Sequence, residues 1–383
     1  MSPRYPFLPS RNSLAFVGGV IGLVALGYFN WRLWQKDKAI LARKAAGASL
    51  PPLELWEHLP KVSILVAAWN EANVIDRLIE SFHQLRYPAR ELVLCAGGQD
   101  GSYEKALRLA VPNVIVLEQM PGEGKQRALR RCLQQSDGAI IFLTDADCRL
   151  DDASFEATLY PVACGSEQAS SGFHRPYPEQ ITKPFVTVQA ASQFYSAMHS
   201  PEYSPGLTGA NCAIERSLLE RSQGLDMEAP TGTDYVLAKM LTRANGNIRL
   251  VPQSRVATEY PETISAYLRQ QRRWLRNVAL HGRRFEATGE VRSSLRTSVV
   301  GAGMLSLPFG AVIFGPELFV LWFLLLVHAL LSRTRYLRFG SIALGMPFGA
   351  SQMAVQIPML LLDFVAWSLT LLDYLSPKQR SRW

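Results

Sequence analysis

The feature that most constrains this chain is the clustering of its apolar residues into blocks of membrane-spanning length. Residues 14–34 read LAFVGGVIGLVALGYFNWRLW, with no acidic residue before Asp37, which is about the length of one bilayer-spanning helix. The block ends in Tyr28, Phe29, Trp31 and Trp34 and is followed by Lys36, Lys38, Arg43 and Lys44. That aromatic and cationic edge predicts an uncleaved anchor rather than a signal peptide, whose apolar region is shorter and ends in small residues. Two more apolar blocks, 298–332 and 340–375, flank Arg333, Arg335 and Arg338. Each is too long for one span, and Gly315-Pro316-Glu317 and Pro358 are the expected breaks, so about four short carboxy-terminal spans are predicted. Only Arg4 and Arg11 precede the first block. The positive-inside rule therefore places the amino terminus outside and the segment after Lys36 in the cytoplasm, making an integral multi-pass membrane protein.

Between these blocks the composition is that of a folded domain. Charged residues make up 19% of the 383 and net charge is +8, which excludes a disordered chain. The five cysteines, Cys95, Cys132, Cys148, Cys164 and Cys212, show no metal-ligand spacing and read as reduced core thiols. Six arginines lie in ISAYLRQQRRWLRNVALHGRR just before the second apolar block. Its apolar residues recur at helical spacing, as in a basic amphipathic helix lying on anionic lipid. Basic residues that flank membrane segments, with no aromatic platform between them, argue against nucleic acid as a partner.

From Lys61 to about Arg255, β-branched runs alternate with helical stretches: VSILVAAW, ELVLCAGG, NVIVLEQ and AIIFLTDAD are separated by helix-length segments. Such alternation predicts a parallel α/β sheet, with ligands where strands end and helices begin. The first run ends in Asn70-Glu71, either a helix cap or polar groups for a nucleotide base. The second ends in the glycine turn Ala96-Gly97-Gly98-Gln99-Asp100. The fourth ends in Asp145-Ala146-Asp147. On a strand these carboxylates would share a face, and their mutual repulsion calls for a divalent cation, Mg²⁺ or Mn²⁺, bridging to phosphate. Gly122-Glu123-Gly124-Lys125 lacks the first glycine of a phosphate loop and has Gln126 where its Ser or Thr belongs. Lys125 at a helix start can still meet an anion. Asp234 stands before another helical stretch, where a plain amino-terminal cap is the competing explanation.

In this order, Asn70-Glu71, the glycine turn, Asp145-x-Asp147, Gly209-x-Asn211, Asp234 and Gln270-x-x-Arg273-Trp274 resemble the membrane-integrated family 2 glycosyltransferases, which include cellulose and hyaluronan synthases and ceramide glucosyltransferase. The resemblance implies a GT-A type α/β domain with transmembrane helices on both sides. Its expected divisions are an anchor at 1–36, a linker at 37–60, the catalytic domain at 61–262, an interfacial segment at 263–297, membrane helices at 298–375 and a cytoplasmic tail at 376–383. It further implies nucleotide-sugar binding by Asn70, Glu71, Asp100, Lys125, Asp145, Gln270 and Arg273, and a divalent cation on Asp145 and Asp147. Asp234 would be the general base, with Gly209, Asn211 and Trp274 at the acceptor. Two positions depart from the family pattern: Ala96 replaces an aspartate that contacts the base or ribose, and Thr233 replaces the usual Glu before the base. The implied reaction is inverting hexosyl transfer from a nucleoside-diphosphate sugar, such as a UDP-sugar, to a membrane lipid at the cytoplasmic leaflet. A processive polysaccharide synthase and a non-catalytic, nucleotide-binding scaffold are the alternatives. Oligomeric state is not legible.

Overall fold

The structure, a computed structural model, describes residues 11–45, 50–227, 229 and 231–375. The expected tail at 376–383 and Arg4 lie outside the described residues. In chain order the elements begin with α1 (Arg11–Ala45), β1 (Val62–Trp69), α2 (Ile75–Gln84), β2 (Arg90–Gly97), α3 (Ser102–Leu109), β3 (Val114–Glu118), α4 (Gly124–Gln134) and β4 (Ile140–Leu143). They continue with β5 (Cys148–Arg149), α5 (Asp152–Ala163), β6 (Ala169–Pro176), α6 (Pro184–His199), β7 (Cys212–Glu215), α7 (Arg216–Ser222), α8 (Thr233–Arg243) and β8 (Ile248–Thr258). The chain closes with α9 (Ile264–His281), α10 (Thr288–Phe314), α11 (Pro316–Leu344) and α12 (Ala350–Leu375).

All eight strands form one sheet in the order β3-β2-β1-β4-β7-β6-β8-β5. β1 to β4 are parallel, as their apolar runs predict. Strands buried on both faces lack polar alternation: in β1, Ile64 and Val66 pack with Phe82 and Phe155 on one side, and Leu65 packs with Leu129 and Leu237 on the other. The expected parallel sheet holds through β4; beyond it the sheet is mixed, because β7 runs antiparallel to β4 and β6 antiparallel to β7. β6 escaped the apolar signal because Ser170 and Ser171 are buried within it. The Ser170 hydroxyl donates to the Thr158 carbonyl, and Thr208 N–H donates to Ser171 Oγ at 2.8 Å, which makes burial of the two hydroxyls tolerable. Four cysteines are buried as expected; Cys164 is exposed.

Four helices are long and apolar enough to cross a membrane, one near the amino terminus and three in the carboxy-terminal part. The expectation of about four carboxy-terminal spans is thereby corrected. The break at Gly315 is real, with φ 118°, but α11 continues through the arginines and α12 continues through Pro358. Each guanidinium finds a partner without ending the helix: Arg333 pairs with Asp363, Arg335 reaches Asp37 at 3.0 Å, and Arg338 lies 4.5 Å from the centre of the Trp34 ring. A proline removes one helical hydrogen bond, a loss that packed membrane helices accommodate. Likewise α1 does not stop at residue 36 but runs to Ala45. Asp37, only 1% exposed, accepts from Tyr195 Oη at 3.0 Å, lies 3.0 Å from His199 Nε2, and meets Arg335. These contacts fasten α1 to α6 and α11.

Candidate active site

The carboxyl ends of β1, β2 and β4 meet where β1 has β2 and β3 on one side and β4 on the other, the switch point at which α/β sheets bind ligands. Asp145 and Asp147 converge there by a different geometry from that expected. They lie in the turn after β4, not on the strand, and the turn is closed by Cys148 N–H donating to the Asp145 carbonyl at 3.1 Å. Thr258 Oγ1 donates to Asp147 Oδ2 at 3.1 Å, and the Tyr177 hydroxyl donates to the Asp147 carbonyl. Lys125, near the start of α4, pairs with Asp145.

A cavity of about 420 Å³ gathers Lys125, Asp145, Asp147, Gly209, Asp234, Gln270, Arg273 and Trp274, eight of the residues singled out in the sequence. Gln270 Oε1 is buried without a hydrogen-bond partner. Asp234 stands in the first turn of α8 and accepts Tyr235 N–H at 2.9 Å. Gly209 permits this close approach: a Cβ there would lie 3.0 Å from the Asp234 Cβ, so one of the two would have to shift. A second cavity, about 890 Å³, shares Lys125 and Thr233 with the first and is lined by Trp69, Glu71 and residues of α4. A third, about 570 Å³, shares His174, Gln193, Asp234, Trp274 and Asn277 with the first and reaches Arg333 of α11 and Asp363 of α12.

Three other sequence candidates make hydrogen bonds within the scaffold. Asn70, at φ 60°, accepts Gln99 N–H at 2.8 Å and ties β1 to the glycine turn. Asp100 accepts Ala72 N–H at 2.9 Å and the Ser102 hydroxyl at 2.6 Å. Asn211 is fully buried, accepting Thr158 Oγ1 at 3.0 Å and donating to Ser254 Oγ at 2.9 Å. None of the three lines a cavity described above. Ala96, buried within β2, likewise lines none of them. His174, Gln193, Glu259 and Asn277 line the first cavity without having been singled out. His174 and Glu259 lie in or just after strands whose sequences lack an apolar signature, so no periodicity marks them. Asn277 was legible, because it follows Arg273 by one helical turn.

The carboxylates crowd one another. Burial raises the Glu71 carboxyl to about 7, helped by Asp147, Asp145, Glu259 and Asp100. Burial and then Asp145 raise Asp147 to about 6. Burial also works against ionised Asp145, but Lys125, with His174 and Arg273, outweighs it and holds that carboxyl below the usual range. Lys125 rises to about 12 because Asp145 outweighs the cost of burial. For Glu71 and Asp147 the native values exceed those of the unfolded chain, near 4, so the native state keeps protons that the unfolded state has lost. The contribution of these two carboxyls to the stability of chelator-treated protein is therefore expected to fall as pH rises from about 4 to 7, against an opposite contribution from the buried His174 and His281 rings. Thermal unfolding of the wild type beside Asp147→Asn isolates the carboxyl: the variant should gain stability relative to the wild type as pH rises across that range, and a constant difference would remove the crowding argument.

A model of the glycosyltransferase like family 2 matches residues 60–277. The chain belongs to this family. Among curated glycosyltransferases it is 25% identical over 251 residues to a probable glycosyltransferase, YdaM, of Bacillus subtilis (strain 168), covering 58% of this chain and 56% of that protein. It is 33% identical over 95 residues to the glycosyltransferase AglE of Haloferax volcanii, 24% of this chain and 31% of that one. This chain thus spans about half and a third of the lengths of these two relatives. The fold is similar to that of a mannosyltransferase, PcManGT, from Pyrobaculum calidifontis, solved with GDP-Man and Mn²⁺. The TM-score is 0.51 and identity 17%, with 94% of this chain and 98% of that one covered. The mixed α/β sheet is accordingly that of a GT-A-like glycosyltransferase fold.

Proposed function

We propose that this glycosyltransferase transfers a hexose, with inversion, from a nucleoside-diphosphate sugar to a membrane lipid at the cytoplasmic leaflet. The carrying observation is the single cavity that joins Lys125, the Asp145–Asp147 pair, Asp234 and Arg273. The 890 Å³ cavity suits the nucleoside, because Trp69 offers a ring face and Glu71 hydrogen-bonding oxygens. Asp145 and Asp147 suit a divalent cation. Among the described residues no group of three His, Cys, Asp or Glu side chains forms a metal cage, so a cation held by these two carboxylates needs phosphate oxygens to complete its shell, the pattern of Mg²⁺ or Mn²⁺ bound with substrate. Such a cation supplies neutralisation of charge on the diphosphate. Solution of the Pyrobaculum mannosyltransferase with GDP-Man and Mn²⁺ supports the same donor chemistry.

The chain's own groups then divide the work. Asp234, where the first and third cavities join, takes the proton of the acceptor hydroxyl. The acceptor oxygen forms its bond to the anomeric carbon as the bond to the diphosphate breaks, inverting that carbon. Arg273 balances the negative charge that gathers on the leaving diphosphate. Gln270 Oε1, buried and unpartnered, is available to a sugar hydroxyl. Trp274, 37% exposed and shared by the first and third cavities, borders the path of the acceptor. The test is direct: full-length protein in zwitterionic detergent is given Mn²⁺, membrane lipids and a panel of radiolabelled nucleotide sugars. Lipid-soluble label from one donor is expected. Label confined to water-soluble polymer would establish a polysaccharide synthase instead, and no turnover of any donor would favour a nucleotide-binding scaffold.

A further inference from the structure

The 570 Å³ chamber beside Asp234 has walls of unusual chemistry for a cavity that borders apolar helices. One face of α6 supplies Gln189, Ser192, Gln193 and Ser196, and Ser200 follows at its carboxyl cap; Gln189 and Gln193, and Ser192 and Ser196, stand four residues apart and so stack along one side of the helix. All five are uncharged hydrogen-bonding groups. The acidic and basic residues of the lining are Asp234, Arg333, Asp363 and His174; burial lowers the proton affinity of the His174 ring, and Arg333 is already paired with Asp363, which also accepts the Tyr267 hydroxyl. The lining therefore carries no uncompensated positive charge among the described residues, and Asp234 leaves it net negative. A phosphate or carboxylate at this place would meet repulsion rather than a partner.

One buried atom makes the preference sharper. Gln189 is 3% exposed, and its Nε2 donates to the carbonyls of Phe185, at 3.2 Å, and Pro261, at 2.8 Å. Those two bonds fix the amide orientation, so the remaining atom is an oxygen that can only accept, and it is buried without a donor. A ligand group that reaches this oxygen must bring a hydrogen to it. An alcohol does so; an ionised phosphate cannot. On the opposite side the chamber is bounded by Arg333 of α11 and by Asp363 and Trp367 of α12, and both helices are long and apolar enough to lie in a bilayer. A ligand that fills the chamber thus lies against the two helices that would stand among alkyl chains.

Resting on the function proposed above, we infer that the chamber seats the uncharged, polyhydroxylated head group of a membrane lipid. Gln189 and the α6 hydroxyls hold the head group while one of its hydroxyls faces Asp234. An acceptor of the lipid-phosphate class is thereby disfavoured. The source of the polyol is the membrane, because the chamber's far wall is built by α11 and α12.

The test uses full-length protein in zwitterionic detergent with Mn²⁺ and whichever nucleotide sugar it cleaves. Three acceptors are compared: a dialkyl glycoside, the phosphate monoester of the same dialkyl alcohol, and methyl glycoside without a lipid chain. Sugar transfer to the dialkyl glycoside is expected to exceed the other two at least tenfold. Equal or faster transfer to the phosphate ester overturns the head-group assignment, and equal transfer to methyl glycoside overturns the membrane source. If no nucleotide sugar is cleaved in any arm, the catalytic reading itself fails and takes this inference with it. Gln189→Leu should raise KM for the dialkyl glycoside about tenfold, the equivalent of one lost hydrogen bond, with donor KM changed less than twofold. If that variant does not fold, Ser196→Leu, at an exposed position on the same wall, should give the same split by narrowing the chamber. Parallel changes in both KM values would overturn the assignment.

Discussion

Asp234→Asn is expected to reduce sugar transfer by about 10²–10⁴-fold, the contribution of a well-placed general base, while nucleoside diphosphate still binds. The amide preserves the shape of the carboxylate and can still accept Tyr235 N–H, the bond that seats the side chain in the first turn of α8. It cannot take a proton from an alcohol. Because Asp234 belongs to both the first and the third cavity, the loss should fall on turnover with every acceptor. Calorimetric titration of nucleoside diphosphate beside single-turnover kinetics separates binding from chemistry. A variant that loses both together would make Asp234 a helix-terminal residue whose role is structural.

Asp147→Asn is expected to be nearly as damaging, by about 10²–10³-fold, the scale seen when one preorganised group that balances transition-state charge is removed. The reason differs. Asp147 has its proton affinity raised by burial and by Asp145, so replacing it relieves repulsion and should leave the protein folded, or more stable at neutral pH. Activity and stability would then move in opposite directions, a signature that general unfolding does not produce. Excess chelator should depress wild-type activity to a similar level. Full activity in chelator, or in the variant, would remove the cation from the mechanism. Asp145→Asn is a less clean probe because it also strips Lys125 of its partner.

Much of this was written in the chain. Runs such as VSILVAAW and AIIFLTDAD name buried parallel strands because only residues covered on both faces dispense with polar alternation. Apolar blocks of bilayer length name their helices for an equally local reason. The order of the motifs from Asn70 to Trp274 pointed to the family, and seven of those residues share one cavity with Lys125.

Where local pattern ceased to be informative, tertiary structure decided. Buried hydroxyls in β6 hid a strand, because their hydrogen-bond partners, Thr158 and Thr208, are remote in sequence. Arginines that seemed to close a span proved to be interior to α11, neutralised by Asp363 and Asp37 from other helices. Asn211, adjacent to the cavity in sequence terms, turned instead to Ser254 and Thr158. The polar face of α6 is regular enough to be read as a stripe in the sequence, but a stripe has no meaning until something faces it. Only the packing of α6 against α9, α11 and α12 encloses that face beside Asp234, because a cavity belongs to several elements at once and no single segment of the chain encodes it.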